Sequence, residues 1–189
     1  MGAAPERDEK ICRILLIGGS LREGSVNTAV LKTARADAAA NVEAILYERL
    51  GDLPLFNPDL DRDPLPEPVA HLRANLGVAG AILFSTPEYA GSLPGAFKNL
   101  LDWIVGGGLY GKTAGWINPS SHGGSGGTYE TLRIVLGFTG AGIVEAACLK
   151  IPVQRADIGA DGLVAAPDIR KAIGAALRAL AVRAAGKGQ

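Results

Sequence analysis

Residues 12–19 read CRILLIGG, and after Arg13 the run carries no polar side chain before its closing glycines. A strand with one wet face alternates apolar and polar positions, so a run without that alternation has to be covered on both faces. Four more segments read as strands. In NVEAILYERL (41–50), Val42, Ala44 and Leu46 alternate against Glu43. VAGAILFSTP (78–87), TAGWINP (113–119) and GIVEAACLKIP (142–152) are mostly apolar and stop at Pro87, Pro119 and Pro152. Proline cannot donate to a central ladder, so it ends the pairing.

Helical periods fill the gaps. Thr28 to Ala40 is rich in alanine, the best helix former, and Glu67 to Gly77 follows Pro66, a residue suited to a helix start. Phe97, Leu100, Leu101, Ile104 and Val105 recur at helical spacing, as do Leu132, Val135, Leu136 and Thr139, and Ile169, Ile173, Leu177 and Leu180. Five strands alternating with five helices predict an α/β chain with a doubly wound five-stranded parallel sheet in three α/β/α layers. A single domain over 1–189 is expected, with 1–10 and 184–189 frayed. The long connection GDLPLFNPDLDRDPLP (51–66) is of the length that is functional or forms an interface arm.

Composition removes several classes of function. The chain has 189 residues, 48% of them hydrophobic, which excludes disorder throughout. Nineteen basic residues balance 19 acidic ones, so no charge excess points to nucleic acid or an anionic membrane. No apolar run reaches membrane-spanning length, and MGAAPERDEK lacks the apolar core of a signal peptide. A cytoplasmic protein is the expectation. Cys12 and Cys148 lie in separate apolar stretches and read as buried thiols. With His71 and His122 they form no metal-ligand spacing, so no metal is expected.

One motif conflicts with this outline. GGGLYGKT (106–113) satisfies the G-x-x-x-x-G-K-[ST] phosphate loop of nucleoside triphosphatases. That loop must leave a strand and open a helix, whose first N–H groups cradle the phosphates. Here the order is reversed: the glycines follow the helical run ending near Val105 and precede the strand at 114–118. They read as a helix stop and a turn. No strand ends in the aspartate that would hold magnesium.

Ligands of such sheets bind outside the carboxyl ends of the strands, where the strand order reverses. Three strand ends carry unusual residues. After the first comes GGSLREGSVN (18–27), with Ser20, Ser25 and Asn27 as neutral donors and Arg22 as a charged fork at a helix start, a set suited to a phosphate monoester. It lacks the G-x-G-x-x-G spacing of a dinucleotide fingerprint. After the third comes STPEYAGSLPGAFKNLLDW (85–103), where Pro87 stiffens the loop, Tyr89 is an aromatic at the ligand face and Gly91 allows close backbone approach. After the fourth comes NPSSHGGSGGTYE (118–130), which offers backbone N–H groups to a flat polar edge. His122 reads as a solvated loop histidine. A plain N-cap, a packed aromatic and a flexible linker are the corresponding readings without a ligand.

GGSLREGSVN and TPEYAGSLPGAFKNLLDW resemble the phosphate-loop and flavin-ring motifs of the NADPH-dependent FMN reductase family, which has a flavodoxin-like fold and includes quinone, chromate and azo-dye reductases. The resemblance runs from Arg13 to about Val153. It implies that Ser20, Arg22, Ser25 and Asn27 hold the phosphate of FMN. Pro87, Glu88, Tyr89, Ala90 and Gly91 would line the isoalloxazine ring, largely through backbone. Ser120, Ser121 and Gly123 would face the ring from the other side. Ala90 stands where family members often carry asparagine, and 118–127 matches less well than the other two loops.

The resemblance further implies a homodimer or homotetramer, with 51–66 and the Trp103 region as interface material. The activity it implies is an FMN-dependent NAD(P)H oxidoreductase. Hydride would pass from NADPH or NADH through FMN to a quinone, another small organic acceptor, a metal oxyanion or free flavin. The cofactor carries such chemistry, so no side chain is assigned as a catalytic acid or base. The alternatives are a flavodoxin-type electron carrier, against which the balanced charge argues, and an FMN-binding regulatory protein without its own substrate.

Overall fold

The computed structural model describes residues 11–106, 108–121 and 124–186. Its five strands are β1 (Cys12–Gly18), β2 (Val42–Tyr47), β3 (Ala81–Ser85), β4 (Thr113–Asn118) and β5 (Gly142–Lys150). All neighbours pair in parallel, in the order β2-β1-β3-β4-β5. Five α-helices connect or follow them: α1 (Val26–Ala36), α2 (Glu67–Val78), α3 (Gly95–Ile104), α4 (Gly126–Phe138) and α5 (Pro167–Ala185). The doubly wound three-layer sheet expected from the alternation is the sheet observed.

The central strand explains why its run lacks polar positions. Leu15 and Ile17 of β1 enter one core with residues of α2, α3 and α4, including Leu72, Phe97 and Leu132. Ile14 and Leu16 enter the opposite core with Val30 of α1 and Ile173, Leu177 and Leu180 of α5. All four β1 side chains are wholly buried, each contributing roughly 1.5–3 kcal/mol by removal from water.

The helix boundaries differ from the sequence expectation where tertiary contacts override propensity. α1 ends at Ala36 and not at Ala40. Asp37 pairs there with Arg170 of α5, and residues 38–41 turn so that the Asn41 carbonyl accepts from the N–H of Cys12 at 2.9 Å. α4 starts at Gly126, ahead of the apolar period that begins at Leu132, so two glycines lie inside its first turn. α5 runs to Ala185, so Ala184 and Ala185 belong to a helix and not to a frayed end; 187–189 and 1–10 lie outside the described residues.

The connection at 51–66 packs against α3. The side chain of Asn99 accepts from the N–H of Phe56 at 2.7 Å and donates to the Pro54 carbonyl at 2.9 Å. Trp103 Nε1 donates to the same carbonyl at 2.8 Å, and its ring meets Phe56 edge to face. Trp103 itself is therefore fully buried within this chain, while Val105 beside it is exposed. Leu55 remains exposed at the tip.

GGGLYGKT lies as the order argument requires, after α3 and before β4. Lys112 Nζ donates to the Ala79 carbonyl at the end of α2, at 2.8 Å, and burial pulls its ammonium pKa down. The lysine caps a helix end beside its own strand start. No described helix is long and apolar enough to cross a membrane.

β5 bulges against β4: Ala114 pairs with Ile143, yet Trp116 pairs with Cys148. The surplus residues push Ala147 towards β4, and a Cβ at Gly115 would lie 2.8 Å from the Ala147 carbonyl oxygen. Both groups sit in the sheet interior, where overpacking costs about 1–3 kcal/mol. Gly115→Ala is expected to lower the melting temperature by about 2–4 °C per kcal/mol lost, measured by circular dichroism.

Candidate functional site

Strand order reverses between β1 and β3, which places β2 to one side and β4 to the other. The carboxyl ends of β1 and β3 are level there, with Gly18 opposite Ser85 and the Gly19 N–H donating to the Ser85 carbonyl at 2.9 Å. Only glycine fits at position 19, since a Cβ would come within 2.0 Å of Thr86 Oγ1. The two loops leaving the switch point are thus in direct contact.

The first loop leads into α1. Ser25 is its N-cap but makes no side-chain cap bond, and the first turn holds no acidic residue. The leading N–H groups of a helix have no intrahelical partner, so this end presents donors and a positive dipole to an anion. Ser20 Oγ accepts from the N–H of Arg22 at 3.2 Å, which shapes the loop, and the Arg22 side chain is exposed. A cleft of about 230 Å³ opens beside it, lined in part by Ser20, Arg22, Thr28 and Lys32. Asn27 is buried, and its Oδ1 lies 2.9 Å from Ser85 Oγ. With Oδ1 engaged, only its amide N–H groups are left for a ligand, and a phosphate requires donors.

The second loop closes on itself. Tyr89 and Ser92 exchange backbone hydrogen bonds of 3.0 and 3.1 Å around Ala90 and Gly91. Both central residues have positive φ, 50° and 76°, the pattern of a type I′ turn. Asparagine and glycine suit those positions and alanine does not, which accounts for the asparagine common there in the resembling family. Tyr89 stands 52% exposed on this hairpin, available to a planar ligand. Glu88 turns its side chain away, and Oε2 accepts from the N–H of Thr128 in α4 at 3.0 Å.

The third loop is anchored at both ends. Asn118 Oδ1 accepts from the Ser120 N–H at 3.0 Å. Ser125 is the N-cap of α4 in the left-handed conformation, with φ 69°. Ser121 is exposed, while His122 and Gly123 lie outside the described residues.

Tyr129, with Ser85 and Thr86, has a larger structural role here than the sequence reading gave it. Tyr129 is 6% exposed. Its hydroxyl accepts from the Thr86 N–H at 3.1 Å, and carbonyls of Thr86 and Ile117 lie 3.0 and 2.9 Å away. Burial pushes this phenol well above its usual pKa, against the opposing pull of its hydrogen bonds. Ser85 Oγ lies 2.9 Å from Ile117 O as well as from Asn27 Oδ1. The one available signal was the pair of hydroxyl residues ending an otherwise apolar strand. Among the described residues no cluster of His, Cys, Asp and Glu could hold a metal ion.

Residues 12–155 fit the family model described as NADPH-dependent FMN reductase. The chain belongs to that family. It is 30% identical over 152 residues to a quinone reductase of Pseudomonas putida, an alignment covering 76% of each chain. It is 37% identical over 97 residues to a probable NADPH:quinone oxidoreductase 2 of Oryza sativa subsp. japonica, covering 50% of this chain and 48% of that one. In that alignment the chain spans about half the length of its relative. FerB, a flavoenzyme NAD(P)H:(acceptor) oxidoreductase from Paracoccus denitrificans, superimposes with a TM-score of 0.81 at 29% identity, over 93% of this chain and 98% of FerB. The fold alone is shared with a WrbA-like flavodoxin from Agrobacterium tumefaciens, at a TM-score of 0.61 and 16% identity.

Tyr129→Phe keeps the ring and removes the hydroxyl that serves Thr86 and Ile117. Leaving a buried polar group unsatisfied costs about 1–3 kcal/mol. Denaturant unfolding of the variant is expected to show a loss of that size, with an unchanged slope.

Proposed function

We propose that this family member is an FMN-dependent NAD(P)H oxidoreductase that delivers electrons to a small-molecule acceptor, a quinone foremost. The observation that carries the reading is the start of α1, a helix end with no side-chain cap and no acidic residue at the switch point, flanked by Ser20 and Arg22. Those donors suit the phosphate of FMN. Ser25 and Asn27 would add hydrogen bonds from the same turn. The hairpin from Pro87 to Gly91, with Glu88, Tyr89 and Ala90, would hold the ring, opposite Ser120, Ser121 and Gly123.

Bound FMN would supply the redox chemistry, taking hydride from NADPH or NADH and passing two electrons to the acceptor. The chain's own groups bind and orient. Arg22 neutralises phosphate charge, and the left-handed turn presents Tyr89 and backbone to a planar group. The P. putida quinone reductase and FerB support the acceptor class by their names. The reading extends to a cytoplasmic homodimer or homotetramer built from a single domain. Exposed Leu55, Ile134 and Phe138 support the oligomer.

FMN is expected to bind at least tenfold more tightly than riboflavin, because hydrogen bonds to a charged group contribute about 1.5–3 kcal/mol each. In fluorescence titrations Arg22→Ala should lose most of that preference, whereas Lys112→Ala should keep it and only lose thermal stability. Equal affinities for the two flavins in the unmodified protein would refute the assignment of the phosphate loop.

Anaerobic mixing of the FMN-bound protein with NADPH or NADH is expected to bleach the flavin absorbance within the turnover time of a quinone assay. Retained FMN without bleaching by either donor would instead identify an electron carrier or a binding protein.

A further inference from the structure

The starts of α1 and α4 both lie at the carboxyl end of the sheet, and they are treated differently. Neither α1 nor α4 has an acidic residue in its first turn or a side-chain bond from its N-cap. At α4 alone, a carboxylate arrives from another loop: Glu88 Oε2 accepts from Thr128 N at 3.0 Å. The approach is close because Gly127 has no side chain. A Cβ there would lie 2.9 Å from the Gly91 carbonyl oxygen and 3.5 Å from Glu88 Oε2. Hairpin and helix are thus clasped by one side chain that also brings a negative charge to the positive end of the helix.

We propose that Glu88 is a positioning residue that clasps the ring hairpin to α4 and whose charge keeps bound FMN hard to reduce, making the reduced cofactor a stronger reductant. The proposal rests on the FMN reading above. Reduction by two electrons adds negative charge to the pyrimidine edge of a flavin at neutral pH. A helix start with open N–H groups would favour that charge. The same start occupied by a carboxylate opposes it, and the opposition is stronger in a partly buried setting than in water. The phosphate is spared this repulsion because α1, which would receive it, has no such carboxylate.

Two variants separate clasp from charge. Glu88→Gln retains an oxygen that can accept from Thr128 N–H and removes the charge, while Glu88→Ala removes both. The readouts are the melting temperature of the apo-protein, the dissociation constant for FMN, and the ratio of reduced to oxidised bound FMN when equilibrated with an indicator dye of known potential. In Glu88→Gln, the melting temperature should stay close to that of the unmodified protein. Its reduced-to-oxidised ratio should rise at least tenfold at fixed potential, equivalent to about 30 mV for a two-electron couple. Glu88→Ala should show the same rise with a lower melting temperature and weaker FMN binding. An unchanged ratio in FMN-loaded Glu88→Gln overturns the charge role. Equal melting temperatures for the two variants overturn the clasp. If the unmodified protein binds no FMN, the reading beneath the proposal fails, and titration shows this before either variant is made.

Discussion

Ser85 stands where the apolar run of β3 ends, and its hydroxyl holds the ligand side of the sheet together. It faces Asn27 at the start of α1 and the Ile117 carbonyl of β4. A hydroxyl has one proton, so it serves these two acceptors in turn. Tyr129 continues the chain from α4 to Thr86 and back to Ile117. Ends of β3 and β4 and starts of α1 and α4 therefore meet in one buried polar knot. Each bond contributes only about 0.5–1.5 kcal/mol net, but an unmade one costs more in so dry a place. The loops above inherit their spacing from this knot.

Much of the architecture was legible from periodicity. A short continuous apolar run ended by glycine or proline fits an interior strand, and β1, β3 and β4 appear where such runs lie. Boundaries were less legible, because the forces that set them act between distant residues. Alanine propensity alone would have carried α1 to Ala40, but the helix ends at Ala36, with Asp37 paired to Arg170 just beyond it. Glycine content made 124–127 look like loop, yet the clasp from Glu88 starts α4 among those glycines. The triphosphatase pattern failed for a reason that chain order made visible: a strand, and not a helix, follows its lysine.

The candidate site was legible as chemistry and less so as geometry. Serine, arginine and glycine at three strand ends lie on one surface because topology sets where strand ends meet. What each side chain does there depends on neighbours remote in sequence. Asn27 looked like a phosphate ligand and turns out to have half its amide engaged by Ser85, 58 residues away. Trp103 looked like interface material and is covered by the Pro54–Phe56 segment, whose carbonyl it binds. Glu88 looked like backbone lining, and its side chain joins two loops.

Ala90 carries a consequence for how quickly the site can exchange its occupant. Held at φ 50°, it lies in a basin that costs an L-residue roughly 1–2 kcal/mol relative to its ordinary conformations. The cross-turn bonds between Tyr89 and Ser92 keep it there. A glycine in its place would wander through several basins when the site is empty. Alanine's cheaper basins lie at negative φ and would break those cross-turn bonds, so the bonds hold the hairpin in nearly one shape. A flat molecule meeting it surrenders little loop entropy on arrival. Arrival is then set by diffusion and fit, and departure by the contacts themselves, with no slow ordering step in either direction.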